Sequence, residues 1–202
     1  HAESPDTTHF SVVDADGNIV ATTTTLNFSF GSAISVTGAG FLLNNEMDDF
    51  VSKPGVPNAF GLLGGEANAI AAGKRPLSSM TPTIVLADGE PWFATGSPGG
   101  SRIITSVLQM IVNVIDHGMN LAEAVNAPRM HHQWFPDVLQ LESGFSPDTV
   151  EILRARGHEV ADSRSSMGSI QAVGIRDGVF RGASDPQRPN AASVAPAAAA
   201  TE

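Results

Sequence analysis

The 202-residue chain is 42% hydrophobic and 16% charged, with a formal net charge of −10. That balance suits a single soluble globular core and disfavours nucleic acid, which is held by clustered Lys and Arg, because the 11 basic residues are scattered. No apolar run approaches the roughly 18 residues of a membrane helix. With no cysteine, a disulfide framework, a thiolate metal site and a Cys nucleophile are all excluded, so covalent chemistry falls to oxygen or an amine.

In chain order, a short segment (1–6) leads into Thr7-Thr8-His9 and a first hairpin, residues 10–14 with 19–25 across Asp16-Gly17. Asp-Gly favours hairpin turns because Gly takes positive φ cheaply. After the apolar Phe41-Leu42-Leu43 come Asn45, Glu46, Asp48 and Asp49, carboxylates that suit either a grip on an ammonium group or a solvated loop. Residues 53–65, "KPGVPNAFGLLGG", place two prolines and four glycines around Phe60 and read as an irregular loop, either a lid or a plain connector. "KRPLSSMTP" offers adjacent hydroxyls on Ser78 and Ser79. A second hairpin pairs residues 83–87 with 92–95 across Asp88-Gly89.

"TGSPGGSR", Thr95 to Arg102, then joins that hairpin to an apolar helix over 103–115, expected to be mostly buried and to end near Gly118. Its glycines suit backbone N–H donors at an anion or oxyanion, although a tight strand-to-helix turn would use them too. A shorter helix is expected over 121–125. His131-His132 lacks a spaced third metal ligand. Ser146 as N-cap, Pro147 in the first turn and Gly157 beyond the end mark another helix. A third hairpin pairs 170–175 with 179–182 across Asp177-Gly178. Residues 188–202, mostly Ala and Pro, read as a disordered tail. The body, 7–187, is therefore expected to be an α+β layered domain.

Thr7 is an ordinary strand former or a nucleophile. In the second case its own α-amino group would serve as base, which demands cleavage between Asp6 and Thr7.

The segments "TTHFSVVDADGNIVA", "GFLLNNEMDDF", "KPGVPN", "KRPLSSMTPTIV", "TGSPGGSRIIT", "NAPRMHHQW", "GFSPDTV" and "GASDP" resemble, in the same order, the small subunit of the γ-glutamyltransferases, also called γ-glutamyl transpeptidases or glutathione hydrolases. The resemblance implies an N-terminal nucleophile hydrolase with an αββα sandwich, cut from a precursor. Thr7 would then be the nucleophile and Asp6 the last residue of the large subunit. Thr25 would orient Thr7, and Gly99 and Gly100 would form the oxyanion hole. Asn27, Glu46 and Asp49 would hold the α-amino group of a γ-glutamyl substrate, Ser78 and Ser79 its α-carboxylate, and Phe60 would lie in a lid. The reaction implied passes the γ-glutamyl group of glutathione to water or to an amino acid or peptide, with no cofactor or metal, in a periplasmic or secreted setting. The same resemblance allows a cephalosporin or glutaryl acylase, or an uncleaved proenzyme or binding protein, as alternatives.

The family's large subunit would supply one face of the fold. The chain by itself is therefore expected to expose a large apolar surface and to need that partner for stability. Sedimentation of the isolated chain should show aggregation or a poorly cooperative species, and a monodisperse, cooperatively unfolding monomer would count against the expectation.

Overall fold

A computed structural model describes residues 7–187 and 191–195; Asp6, the rest of segment 1–6 and the remainder of the expected 188–202 tail lie outside the described residues. The first hairpin is β1 (Thr7–Val13) with β2 (Ile19–Thr25). β1 starts three residues earlier than its apolar pattern suggests, because Thr7, Thr8 and His9 pair with Thr25, Thr24 and Thr23. Its Asp16-Gly17 turn is not a tight two-residue link. Asp14 instead accepts hydrogen bonds from the Asp16 and Asn18 N–H groups at 3.0 and 2.9 Å, closing a wider Asx-type loop. By contrast, Asp88-Gly89 and Asp177-Gly178 have positive φ at both residues, the conformation of type I′ turns that matches the strand twist.

A second sheet is antiparallel throughout, in the order β3 (Thr83–Ala87), β4 (Glu90–Gly96), β7 (Gln171–Arg176), β8 (Val179–Ser184). Helices α1 (Arg102–Ile115) and α2 (Leu121–Asn126) cover one of its faces. Phe93, Met110, Val114, Leu121, Val125 and Ile170 form the core there. The capping box of α2, in which Asn120 accepts from Glu123 N–H and Glu123 accepts from Asn120 N–H, is legible as Asn-x-x-Glu but was not among the expected signals. The β1–β2 hairpin packs on the opposite face, against β4 and β7. The described residues thus stack helix, sheet and sheet, in keeping with the α+β class. None of their helices is long and apolar enough to cross a membrane.

A satellite core of Leu139, Leu141, Val150 and Val160 joins the short ladder β5 (Met130–His131) and β6 (Gln140–Leu141) to α3 (Pro147–Ala155). Ser146 caps α3 by accepting from Thr149 N–H at 3.2 Å, with Pro147 in its first turn. α1 is mostly covered, as expected, but not along its whole apolar set: Ile104, Leu108 and Ile115 are about half exposed, as are Phe10, Val12 and Val20 on the outer face of the hairpin. Apolar spacing reports which residues want cover, not whether this chain supplies it.

Arg129 is buried between two carboxylates. Its guanidinium donates to Glu142 at 3.0 Å and to Asp185 at 2.6 Å, with all three side chains almost wholly enclosed. Glu142 also accepts from the Met167 N–H, and Asp185 from the Ile170 N–H at 3.4 Å. Removing Glu142 leaves part of the Arg129 guanidinium and the Arg129 and Met167 N–H groups without their acceptor in the interior. Glu142→Ala is therefore expected to cost the full-length protein about 3–5 kcal/mol in urea unfolding. A loss below about 1 kcal/mol would put the network in the class of exposed ion pairs.

Candidate active site

The position of the site follows from one close contact between the layers. The His9 ring on β1 lies against Gly96 of β4, where a Cβ would stand 2.3 Å from the imidazole. Only glycine admits this approach. His9 is buried and is held by Thr23 Oγ1 at 2.7 Å and Ser11 Oγ at 2.9 Å. Burial lowers its pKa to about 4, so the ring is neutral at physiological pH and serves as packing and a hydrogen-bonding group.

Directly after Gly96 the chain turns through Ser97 to Gly100 into α1. Gly99 and Gly100 have φ of 137° and 56°. Their carbonyls accept from the Arg102 and Ile103 N–H groups that begin α1, while among the described residues neither glycine N–H has an acceptor. Two unengaged donors at a helix start suit a developing negative charge. The turn rests on Gly168, where a Cβ would lie 2.3 Å from Ser97 Oγ and 2.7 Å from the Pro98 carbonyl. Ser97 Oγ also accepts from the Ser169 N–H at 2.9 Å.

At the head of β1, Thr7 Oγ1 donates to Thr25 Oγ1 at 3.1 Å. Thr25 Oγ1 in turn accepts from the Asn27 N–H at 2.9 Å. Asn27 is buried with a φ of 76°, and its amide nitrogen donates to the Asn45 carbonyl at 3.1 Å. A small cavity of about 30 Å³ is lined by Thr7, Thr25, Asn27, Asp49, Phe60, Ser78, Ser79 and Gly100. Eight residues singled out in the sequence, spread over more than ninety positions, thus meet in one place. Gly99 and Glu46 stand just outside this lining, Gly99 beside Gly100 and Glu46 beside Asp49.

Glu46 and Asp49 begin and end a 3₁₀ turn, Glu46–Asp49, whose three-residue period stacks their side chains. Burial, and then the hydrogen bond and charge of Asp49, raise Glu46 to about 7. Asp49 is also raised, first by burial. Two carboxyl groups in contact resist ionising together, so the pair suits a cation that restores both charges.

Phe60 closes the cavity. Its ring lies where a Cβ on Gly100 would meet it at 2.9 Å, and it packs edge-on against Phe28 at 5.8 Å. The 53–65 stretch has no regular structure, but Asn58 shapes it: the Asn58 side-chain oxygen accepts from the Phe60 and Leu62 N–H groups at 3.0 and 2.9 Å. The imidazoles of His131 and His132 are taken up by Thr105, Gln133, Asp137 and the Trp134 N–H. Ser101, unmarked in the sequence although inside the Gly-rich motif, also lines the cavity and donates to Gln133.

Comparison with known proteins places these features in context. The family model described as gamma-glutamyltranspeptidase matches residues 1–195. The glutathione hydrolase proenzyme of Escherichia coli is 62% identical over 186 residues, covering 92% of this chain and 32% of that protein. The chain thus spans about a third of the length of the curated relatives it matches. A structure of gamma-glutamyltranspeptidase from Pseudomonas nitroreducens complexed with L-DON superposes with a TM-score of 0.86 at 48% identity, covering 94% of this chain and 100% of that one. Acylase ACY 1 proenzyme from a Pseudomonas strain is 42% identical, covering 90% of this chain and 30% of that protein.

The carboxylate pair supplies a test that needs no substrate. Glu46 is protonated in the folded protein at a pH where it would be ionised in the unfolded chain. Its contribution to stability is therefore full below the usual carboxylate range and is lost as pH rises to about 7. In an NMR pH titration, Glu46 should titrate near 7, and Asp49→Asn should move its midpoint down; an unmoved midpoint would break the coupling.

Proposed function

Because the chain belongs to the γ-glutamyltranspeptidase family, we propose that it carries the nucleophile and most of the donor site of an enzyme that transfers γ-glutamyl groups from glutathione and related compounds. The observation that carries this reading is the cavity lined by Thr7, Ser78, Ser79 and Asp49, the last paired with the raised carboxyl group of Glu46 just outside it. An N-terminal threonine needs no separate base. Cleavage of the Asp6–Thr7 bond frees the Thr7 α-amine, which takes the Thr7 hydroxyl proton while Oγ1 attacks the γ-amide carbon of the donor. Negative charge then develops on the carbonyl oxygen, and the Gly99 and Gly100 N–H groups are the donors suited to it. When the C–N bond breaks, the departing amine takes the proton and a γ-glutamyl ester on Thr7 remains. Water attacks that ester to release glutamate, or an amino acid or peptide amine attacks it to give a new γ-glutamyl amide.

Donor recognition in this reading is electrostatic at both ends. Asn27, Glu46 and Asp49 meet the α-ammonium, and Ser78 and Ser79 meet the α-carboxylate. A cavity of about 30 Å³ has room for little more than a water molecule, so the donor enters only when Phe60 leaves Gly100. The half-exposed apolar side chains on α1 and the hairpin support burial against a large subunit from the same precursor.

The acylase alternative shares the nucleophile. It would leave the carboxylate pair without a cation, because a glutaryl side chain has no α-amino group. A site whose polar groups await a partner rejects ligands that lack it.

Expression of the complete precursor should yield a small chain whose first residue is Thr7, read by intact mass and N-terminal sequencing. Thr7→Ala should leave the precursor uncut and lower hydrolysis of γ-glutamyl p-nitroanilide at least about a thousandfold. An uncut wild-type precursor with full activity would overturn the mechanism.

A further inference from the structure

Asn68 lies outside the Thr7 cavity, yet its side chain joins two of that cavity's walls. Its amide nitrogen donates to the Asp49 carbonyl at 2.7 Å, and its amide oxygen accepts from the Leu77 N–H at 3.0 Å. The Asn68 carbonyl also accepts from the Val51 N–H at 2.9 Å. Asp49 belongs to the carboxylate pair, and Leu77 immediately precedes Ser78 and Ser79. Among the described residues no other hydrogen bond links 46–49 to 77–80. The bridge is itself braced, because Lys74 Nζ donates to the Ala67 and Ala69 carbonyls at 2.7 and 2.9 Å, on either side of Asn68.

We propose that Asn68 is a positioning residue that fixes the span between the ammonium-binding carboxylates and the carboxylate-binding hydroxyls, and so makes the site select ligands that carry both groups. The proposal rests on the γ-glutamyl reading of the cavity. A ligand with two charged handles gains from both only when the two receptors stand at its own spacing, and a drift of about 1 Å is costly. A ligand with one handle can follow whichever wall it binds. Loss of the bridge should therefore weaken two-handled ligands selectively, and should spare the chemical step at Thr7 once a donor is bound.

The test uses the processed full-length protein, with γ-glutamyl p-nitroanilide as donor and three competitors: L-glutamate, glutarate, which lacks the amino group, and 4-aminobutanoate, which lacks the α-carboxylate. Asn68→Ala is expected to raise the inhibition constant of L-glutamate and the donor KM by about tenfold. The constants for the two single-handled competitors should stay within about twofold and kcat within about threefold. Asn68→Asp keeps the acceptor for Leu77 but sets a carboxylate oxygen against the Asp49 carbonyl, so it should weaken L-glutamate at least as much as Asn68→Ala. It also gives a second reading should the alanine variant fail to fold or process. An equal weakening of all three competitors, or an unchanged constant for L-glutamate, would overturn the proposal. If instead the wild-type protein binds L-glutamate no more tightly than glutarate, the γ-glutamyl reading itself falls, a result visible before any variant is made.

Discussion

The contact of the His9 ring with Gly96 governs the geometry of this protein. Two β-sheets usually stack about 10 Å apart with side chains filling the gap. Here one strand offers an imidazole and the other offers nothing beyond its backbone, so the head of β1 sits close to the end of β4. That places Thr7 beside the turn that leaves β4, where the Gly99 and Gly100 N–H groups have no acceptor among the described residues. The imidazole has both nitrogens hydrogen-bonded and burial holds it neutral, which avoids placing an uncompensated charge between the sheets.

The turn itself depends on support from behind. Gly168 gives Ser97 and Pro98 the space they occupy. The irregular segment around Gly168, just before β7, is tied at Met167 to Glu142 and at Ile170 to Asp185, and Arg129 links those two carboxylates. A buried ionic network is weak evidence for net stability. Its geometric effect is clearer here, because it anchors both ends of a four-residue stretch on which the donor turn rests. Rigid support of this kind is what electrostatic stabilisation of a reacting group requires, since donors that reorganise during the reaction give up much of their benefit.

Opposed demands meet at the other end of the cavity. Burial raises the pKa of both Glu46 and Asp49, and the hydrogen bond and charge of Asp49 raise Glu46 further, so the pair holds its negative charge at a cost in stability. Phe60, resting on Gly100 and Phe28, narrows the space beside Thr7. Asn58 makes this possible without regular structure, because one side-chain oxygen organises the backbone on both sides of Phe60. An irregular loop can thus hold a defined position while having few bonds to break when it moves.

Much of the architecture is legible in the residues. The Asp-Gly turns, the apolar spacing of α1 and the Ser146-Pro147 start of α3 are local signals, and local backbone preference decides them. The motifs that resemble the family contain part of the cavity lining, including Thr7, Asp49, Ser78, Ser79 and Gly100. Illegible were the first turn's wider closure, which Asp14 imposes through its side chain, and the exposure of Ile104, Leu108 and Ile115, which depends on what packs beside α1. The roles of His9, Ser101, Asn68 and Arg129 were equally hidden, since each acts through partners from 2 to 87 positions away along the chain. By itself the sequence determined the elements, their turns and the kind of chemistry available, an oxygen nucleophile without thiols. Only the tertiary structure decided that Thr7 meets Thr25, Asp49, Ser79 and Gly100 around one cavity. That meeting is a matter of long-range packing, set by the glycine that lets two sheets approach, and no periodicity along the chain encodes such a distance.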